Sequence, residues 1–222
     1  MKNDKMIVLM GKIIVIANQK GGVGKTTTAI NLSASIALDK KDVLVIDTDP
    51  QGNLTSGLSI NRDNLKRSLY DVYIGRCSID EAIIKSPIEH LHIVPSTIDL
   101  LAVELELVNK EAREHILSNA IVLIKERYNY IFIDCPPSLG LLTLNSLVAA
   151  DSIIVPVQCE YYSLEGLSLL SKTLKLVRAS LNPRLEIEGI ILTMYDSRTS
   201  LSQQVVKEVR SFFKDKVYQT LI

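Results

Sequence analysis

Apolar residues follow two rhythms along this chain. Four short runs carry no polar alternation: Ile13-Ile14-Val15-Ile16, Val43-Leu44-Val45-Ile46, Tyr130-Ile131-Phe132-Ile133 and Ile153-Ile154-Val155. A strand that is apolar on both faces belongs in a sheet covered on both sides, as parallel strands are. Together with weaker runs, the pattern predicts strands over 12–17, 43–47, 91–94, 130–135, 152–157, 185–194 and 217–221. Between them, apolar positions spaced by three and four residues predict helices over 25–38, 64–74, 79–85, 98–108, 111–127, 140–149, 163–180 and 200–214. Ser78-Ile79-Asp80-Glu81 has the form of a capping box for the third of these. Repeated β-then-α order with right-handed crossovers predicts an α/β fold, a doubly wound, mostly parallel sheet with helices on both faces. The polar, irregular stretch 53–90 reads as decoration of that sheet. With no internal repeat or linker, residues 11–222 read as one domain. Met10-Gly11-Lys12 makes a natural entry to the first strand, so residues 1–10 read as an N-terminal arm.

The first strand runs into Gln19-Lys20-Gly21-Gly22-Val23-Gly24-Lys25-Thr26-Thr27, and a helical pattern follows at once. A strand, a glycine-rich turn and a helix N-terminus form a phosphate cradle. Glycines let backbone N–H groups converge on an anion, and the first helical turn adds unpaired donors and a positive dipole end. Lys20, Gly21, Gly22, Val23, Gly24, Lys25, Thr26 and Thr27 are the candidate nucleotide-binding residues. Lys25 is placed to neutralise β- and γ-phosphates, Thr26 to ligate Mg²⁺ and Thr27 to bond the α-phosphate. The usual P-loop has glycine five residues before Gly24; here that residue is Gln19, and a second lysine, Lys20, follows it.

This K-G-G-V-G-K-T-T form resembles the deviant Walker A box of the ParA/MinD family of ATPases. The resemblance implies a P-loop NTPase fold, with Lys20 reaching across a dimer interface to the nucleotide of the other subunit. It makes Lys20, Lys25 and Asp49 the catalytic set.

In a doubly wound sheet, ligands bind beyond the carboxyl ends of the strands. The second strand ends in Asp47-Thr48-Asp49-Pro50-Gln51-Gly52-Asn53, and a later one in Asp134-Cys135-Pro136-Pro137-Ser138. Both place carboxylates where a metal–triphosphate would lie. An apolar strand ending in Asp134 suits a carboxylate that holds a metal-bound water. These segments resemble the two switch elements of ParA proteins. Asp49 then corresponds to the residue that orients the attacking water and supports the metal shell, and Asp134 to the Walker B carboxylate. Thr26, Asp49 and Asp134 are the implied metal residues. Asp47 is an alternative functional carboxylate; the preferred reading makes it a strand-end residue that supports the P-loop by hydrogen bonding. The segment 155–167 resembles one that contributes to the ParA dimer face. The match runs from about Gly11 to Tyr218.

Composition narrows the function further. Formal net charge is zero, hydrophobic content 47% and charged content 23%, as in an ordinary globular protein rather than a strongly basic nucleic-acid binder. No run is long enough to span a bilayer, and no convincing signal peptide is present. Cys77, Cys135 and Cys159 lack metal-ligand spacing and read as three reduced, buried thiols in a cytosolic protein. They also lack the cluster contexts of the nitrogenase iron protein. Two basic stripes, Lys172/Lys175/Arg178 and Lys207/Arg210/Lys214, are candidates for a phosphate-binding surface; Val205, Val209 and Phe212 form the apolar face of the last helix.

The resemblance implies the cofactors ATP and Mg²⁺, an ATP-dependent homodimer, non-specific DNA binding and stimulation by a ParB-like partner. It implies a cytoplasmic, nucleoid-associated protein serving chromosome or plasmid partition, with no membrane association. ParA relatives continue past the position of Ile222 with a segment that touches adenine, which implies a chain truncated at the C-terminus. Two other readings stand beside this one: a MinD-like membrane-associated division-site ATPase, and a truncated nucleotide-binding module without turnover.

Overall fold

The computed structural model describes residues 11–161 and 163–222, with only the backbone of Glu165; the arm expected over 1–10 lies outside the described residues. The eight described strands form one sheet. They are β1 (Lys12–Ile16), β2 (Val43–Asp47), β3 (Ile84–Lys85), β4 (Leu91–Val94), β5 (Tyr130–Asp134), β6 (Ser152–Gln158), β7 (Glu186–Thr193) and β8 (Val217–Leu221). Their spatial order is β3-β4-β2-β5-β1-β6-β7-β8, with every pairing parallel except β3 against β4. β1 lies between β5 and β6. One half of the sheet is built through β2 and β4 and closed by β5; the chain then crosses β1 to build β6, β7 and β8. The turn after β1 therefore sits where strand order reverses, the position at which open α/β sheets bind ligands.

The unbroken apolar runs supply two cores. Ile13, Val15, Leu44, Ile46, Ile131 and Ile133 pack in one, while Ile14, Ile16, Val43, Val45 and Phe132 pack in the other. Alternate residues of one strand thus serve opposite faces, and each fully buried aliphatic side chain contributes roughly 1.5–3 kcal/mol. Helices α1 (Lys25–Leu38) and α2 (Asn53–Gly57) join the second core. The first is covered by α3 (Leu69–Tyr73), α4 (Ile79–Ala82), α5 (Val103–Glu106), α6 (Ile116–Ile121), α7 (Leu141–Ala149), α8 (Ser163–Ser180) and α9 (Ser200–Phe213).

The predicted long helices between 64 and 127 are broken into shorter pieces. The segment 64–74 is helical only over α3, after a single 3₁₀ turn at Arg62–Asn64. The segment 79–85 stops at Ala82, because Ile83 turns extended and leads into β3. Its capping box is present, with the Ser78 side chain accepting from the Glu81 N–H and Glu81 accepting from the Ser78 N–H. The segment 98–108 is a 3₁₀ stretch, Ile98–Ala102, joined to α5. The segment 111–127 is not one helix: Ala112, with φ 51°, delays its start, and the non-helical backbone at His115 and Ile124 divides the rest into a 3₁₀ turn, α6 and another 3₁₀ turn. Cys135 and Cys159 are buried, but Cys77 is only half-buried.

Candidate functional site

The glycine-rich turn adopts the backbone that its sequence demands. Gly22 and Gly24 have φ of 71° and 90°, left-handed values that side chains rarely adopt. α1 begins at Lys25 with Gly24 as N-cap and no side chain capping it, so its first-turn N–H groups have no side-chain partner at the cap. Two residues passed over in the sequence hold the turn in place. The Thr193 hydroxyl, at the end of β7, donates to the Val23 carbonyl at 2.9 Å, and its methyl would lie 3.6 Å from a Cβ on Gly24. Asn18 donates to the Pro156 carbonyl at 2.7 Å and accepts from the Lys20 N–H at 3.1 Å. Both are single polar residues at strand ends, which nothing local distinguishes from turn residues.

Lys25 is buried and its ammonium donates to the Lys20 carbonyl at 3.0 Å. Burial lowers its pKa, opposed by the nearby acidic groups of Asp134, Cys135 and Asp49. The structure thus brings the P-loop lysine together with Asp49 and Asp134. Lys20 itself points elsewhere, its amine 2.6 Å from Glu160 Oε2 on the loop after β6. Both side chains are partly exposed, so this pair is weak and readily exchanged.

Asp134 ends β5 with its side chain almost wholly buried, and neither carboxylate oxygen has a well-formed hydrogen bond. Burial raises its pKa to about 7, with neighbouring Thr26 and Lys25 pulling the other way. An orphaned carboxylate beside the Thr26 hydroxyl fits a hard, oxygen-seeking cation. Among the described residues no three His, Cys, Asp or Glu side chains form a ready-made cage.

The folded pKa of Asp134 lies well above the ordinary carboxylate value of about 4, so ionising it costs stability as pH rises from about 4 to about 7. Asp134→Asn is expected to raise the melting temperature of nucleotide-free protein in EDTA. The gain should be small near pH 4 and full above pH 7, by differential scanning fluorimetry; a gain independent of pH would contradict it.

Asp47 is fully buried and its pKa is raised by burial to about 6. Its partners are the Thr55 N–H and hydroxyl at 2.8 and 2.6 Å and the Asp49 N–H at 3.2 Å. It therefore braces the loop after β2 and the start of α2, not the P-loop as expected. Asp49 is buried and accepts from the Gln51 N–H at 2.9 Å. Between them, Thr48 donates its N–H and hydroxyl to the Asp134 carbonyl, at 3.0 and 2.7 Å.

The basic stripes are less regular than predicted. Lys172, Lys175 and Lys207 are exposed. Arg178 donates to the Leu185 carbonyl and Arg210 to the Gln219 carbonyl, at 2.5 and 3.0 Å. α9 ends at Phe213, and Lys214 follows with φ 49°, so it lies beyond the helix rather than on its face. Phe212 is 77% exposed and leaves the apolar face to Val205 and Val209. Two surface hollows, of about 580 and 280 Å³, open at the opposite, N-terminal edge of the sheet, away from the P-loop. No helix among the described residues is long and apolar enough to cross a membrane.

Comparison with known proteins agrees with this geometry. A family profile described as an AAA domain matches residues 11–187. The sporulation initiation inhibitor protein Soj of Bacillus subtilis is 53% identical over 96% of this chain and 84% of its own length. The chromosome partitioning protein ParA of Myxococcus xanthus is 52% identical over 96% of this chain and 75% of its own. Among solved structures, cobyrinic acid a,c-diamide synthase from Mycobacterium smegmatis, with a bound ATP analogue and magnesium, superimposes with a TM-score of 0.87. It is 37% identical, over 92% of this chain and 83% of that one.

Proposed function

This chain belongs to the ParA/Soj family of P-loop ATPases, and from that premise we propose that it hydrolyses Mg·ATP as a nucleotide-sandwiched homodimer that binds DNA without sequence preference and is stimulated by a ParB-like partner. The role is chromosome or plasmid partition, in the cytoplasm and on the nucleoid. The observation that carries the reading is the orphaned Asp134 carboxylate, buried beside Lys25 and Thr26 at the uncapped start of α1.

Phosphoryl transfer asks for positioning and charge neutralisation more than for covalent help. Gly21, Gly22, Val23 and Gly24 offer their backbone to the phosphates, Lys25 sets its ammonium against the β/γ oxygens, and Thr27 bonds the α-phosphate. Thr26, Asp134 and Asp49 are the residues that would hold Mg²⁺, which when bound neutralises charge on the β- and γ-oxygens. Asp49 orients the attacking water. Lys20 leaves Glu160 and presents its amine to the partner's nucleotide.

The test has two parts. Mass measured with Mg·ATP is expected to double relative to Mg·ADP. The ATP form is expected to bind unrelated DNA duplexes alike, with affinity falling steeply as salt rises. A mass unchanged by ATP removes the dimer, and DNA affinity indifferent to salt removes the basic surface.

A further inference from the structure

Around Asp49 the chain forms a closed ring of hydrogen bonds. The Asp49 N–H donates to Asp47 Oδ1 at 3.2 Å. Asp47 Oδ2 takes the Thr55 hydroxyl proton at 2.6 Å. The Thr55 hydroxyl oxygen accepts the Ser96 N–H at 3.0 Å. The Ser96 hydroxyl then donates to the Asp49 carbonyl at 2.5 Å, closing the ring. Asp47, Thr55 and Ser96 are all fully buried.

Three separate segments meet in this ring: the residues just after β2, Thr55 in the middle of α2, and the loop just beyond β4. Both polar groups of the Asp49 main chain are held by it. Apolar side chains at 55 and 96 would remove two buried hydroxyls, and would take from Asp47 Oδ2 and from the residue-96 N–H a partner that each now has. A fully satisfied buried network costs little only because every member is paired, and what it provides is a single fixed geometry.

We propose that Ser96 and Thr55 are positioning residues for hydrolysis: through the ring they fix the backbone of Asp49, and hence the direction in which its carboxylate meets the attacking water. This inference rests on Asp49 as the water-orienting residue. Misplacing such a group by a fraction of an ångström leaves substrate binding intact while slowing the chemical step, because nucleotide is held elsewhere, by the P-loop. The Thr48 bonds to the Asp134 carbonyl tie the same strand end to β5, so loosening is confined to the Asp49 side of the loop.

The experiment measures single-turnover hydrolysis of radiolabelled Mg·ATP alongside nucleotide affinity. Ser96→Ala is expected to lower the rate about ten-fold, with Kd for ATP within about two-fold of the parent. Thr55→Val should behave like Ser96→Ala, and Thr55→Ser, which keeps the hydroxyl, should restore the rate. In an Asp49→Ala background, adding Ser96→Ala should cost nothing further, since residues that act through one group are not additive.

An unchanged rate in Ser96→Ala overturns the proposal. So does a loss of ATP affinity matching the loss of rate, or an equal slowing with and without Asp49, because either marks a general structural role. An Asp49→Ala protein with normal turnover instead removes the premise about Asp49, and is told apart by that variant alone.

Discussion

Lys25→Ala is expected to abolish Mg·ATP binding at micromolar nucleotide, and hydrolysis with it. The wild-type ammonium is buried, hydrogen-bonded to its own loop at the Lys20 carbonyl, and surrounded by the carboxylates of Asp49 and Asp134. Burial favours its neutral form, and the nearby acidic groups oppose that. A bound triphosphate adds further negative charge to the same place. Removing the cation leaves that charge facing Asp134 with no compensation. Truncating one partner of a desolvated charge pair costs roughly 2–5 kcal/mol, a loss of about 30-fold to several-thousand-fold in Kd. Lys25→Arg is expected to fail as well, since a planar guanidinium is too broad for a slot shaped around a point charge on a slim stem. Calorimetric titration with Mg·ATP reads the result directly. A Kd unchanged in Lys25→Ala would detach this loop from phosphate binding.

Much of this site was legible in sequence because its chemistry is local. The P-loop is one contiguous turn between a strand and a helix, and the backbone angles at Gly22 and Gly24 are those a phosphate cradle needs. Asp134 and the Asp47/Asp49 pair were legible as strand-end carboxylates because unbroken apolar runs lead to them, while the choice of Asp49 over Asp47 came from the resemblance alone. The elements that read best were likewise those set by a single strong pattern: α1 over 25–38, α8 over 163–180 and β2 over 43–47. Where the pattern was short, tertiary contacts decided instead. Leu100, Val103 and Leu107 keep helical spacing and are buried, yet the chain passes from 3₁₀ to α within that segment. There Glu104 accepts from the Leu141 N–H at 2.7 Å, supplying α7 with the cap that Gly140 lacks. Thr193, Asn18, Ser96 and Thr55 were passed over for one shared reason. Each matters through a partner remote in the chain, and only the sheet order brings the pair together.

Lys20→Ala separates binding from hydrolysis, because the two halves of this residue do different work. Its main chain belongs to its own P-loop: the carbonyl accepts from Lys25 and the N–H donates to Asn18. Neither bond needs the side chain, so affinity for Mg·ATP is expected to stay within about three-fold of the parent. The amine, paired with a partly exposed Glu160, is held there by an interaction worth about 0–1 kcal/mol, weak enough for it to leave. If it serves the neighbouring subunit's nucleotide, its loss should slow turnover roughly 10³-fold or more, the scale of a cation supplied in trans. Mixing distinguishes this from action within one chain. A dimer of one Lys20→Ala and one Asp49→Ala subunit has a single site with both groups intact, in the subunit that kept Asp49. An equal mixture of the two inactive variants should therefore recover about a quarter of wild-type turnover, since random pairing makes half the dimers mixed and each has one working site. No recovery, with both variants still binding nucleotide and still pairing, would place the lysine's action within its own subunit.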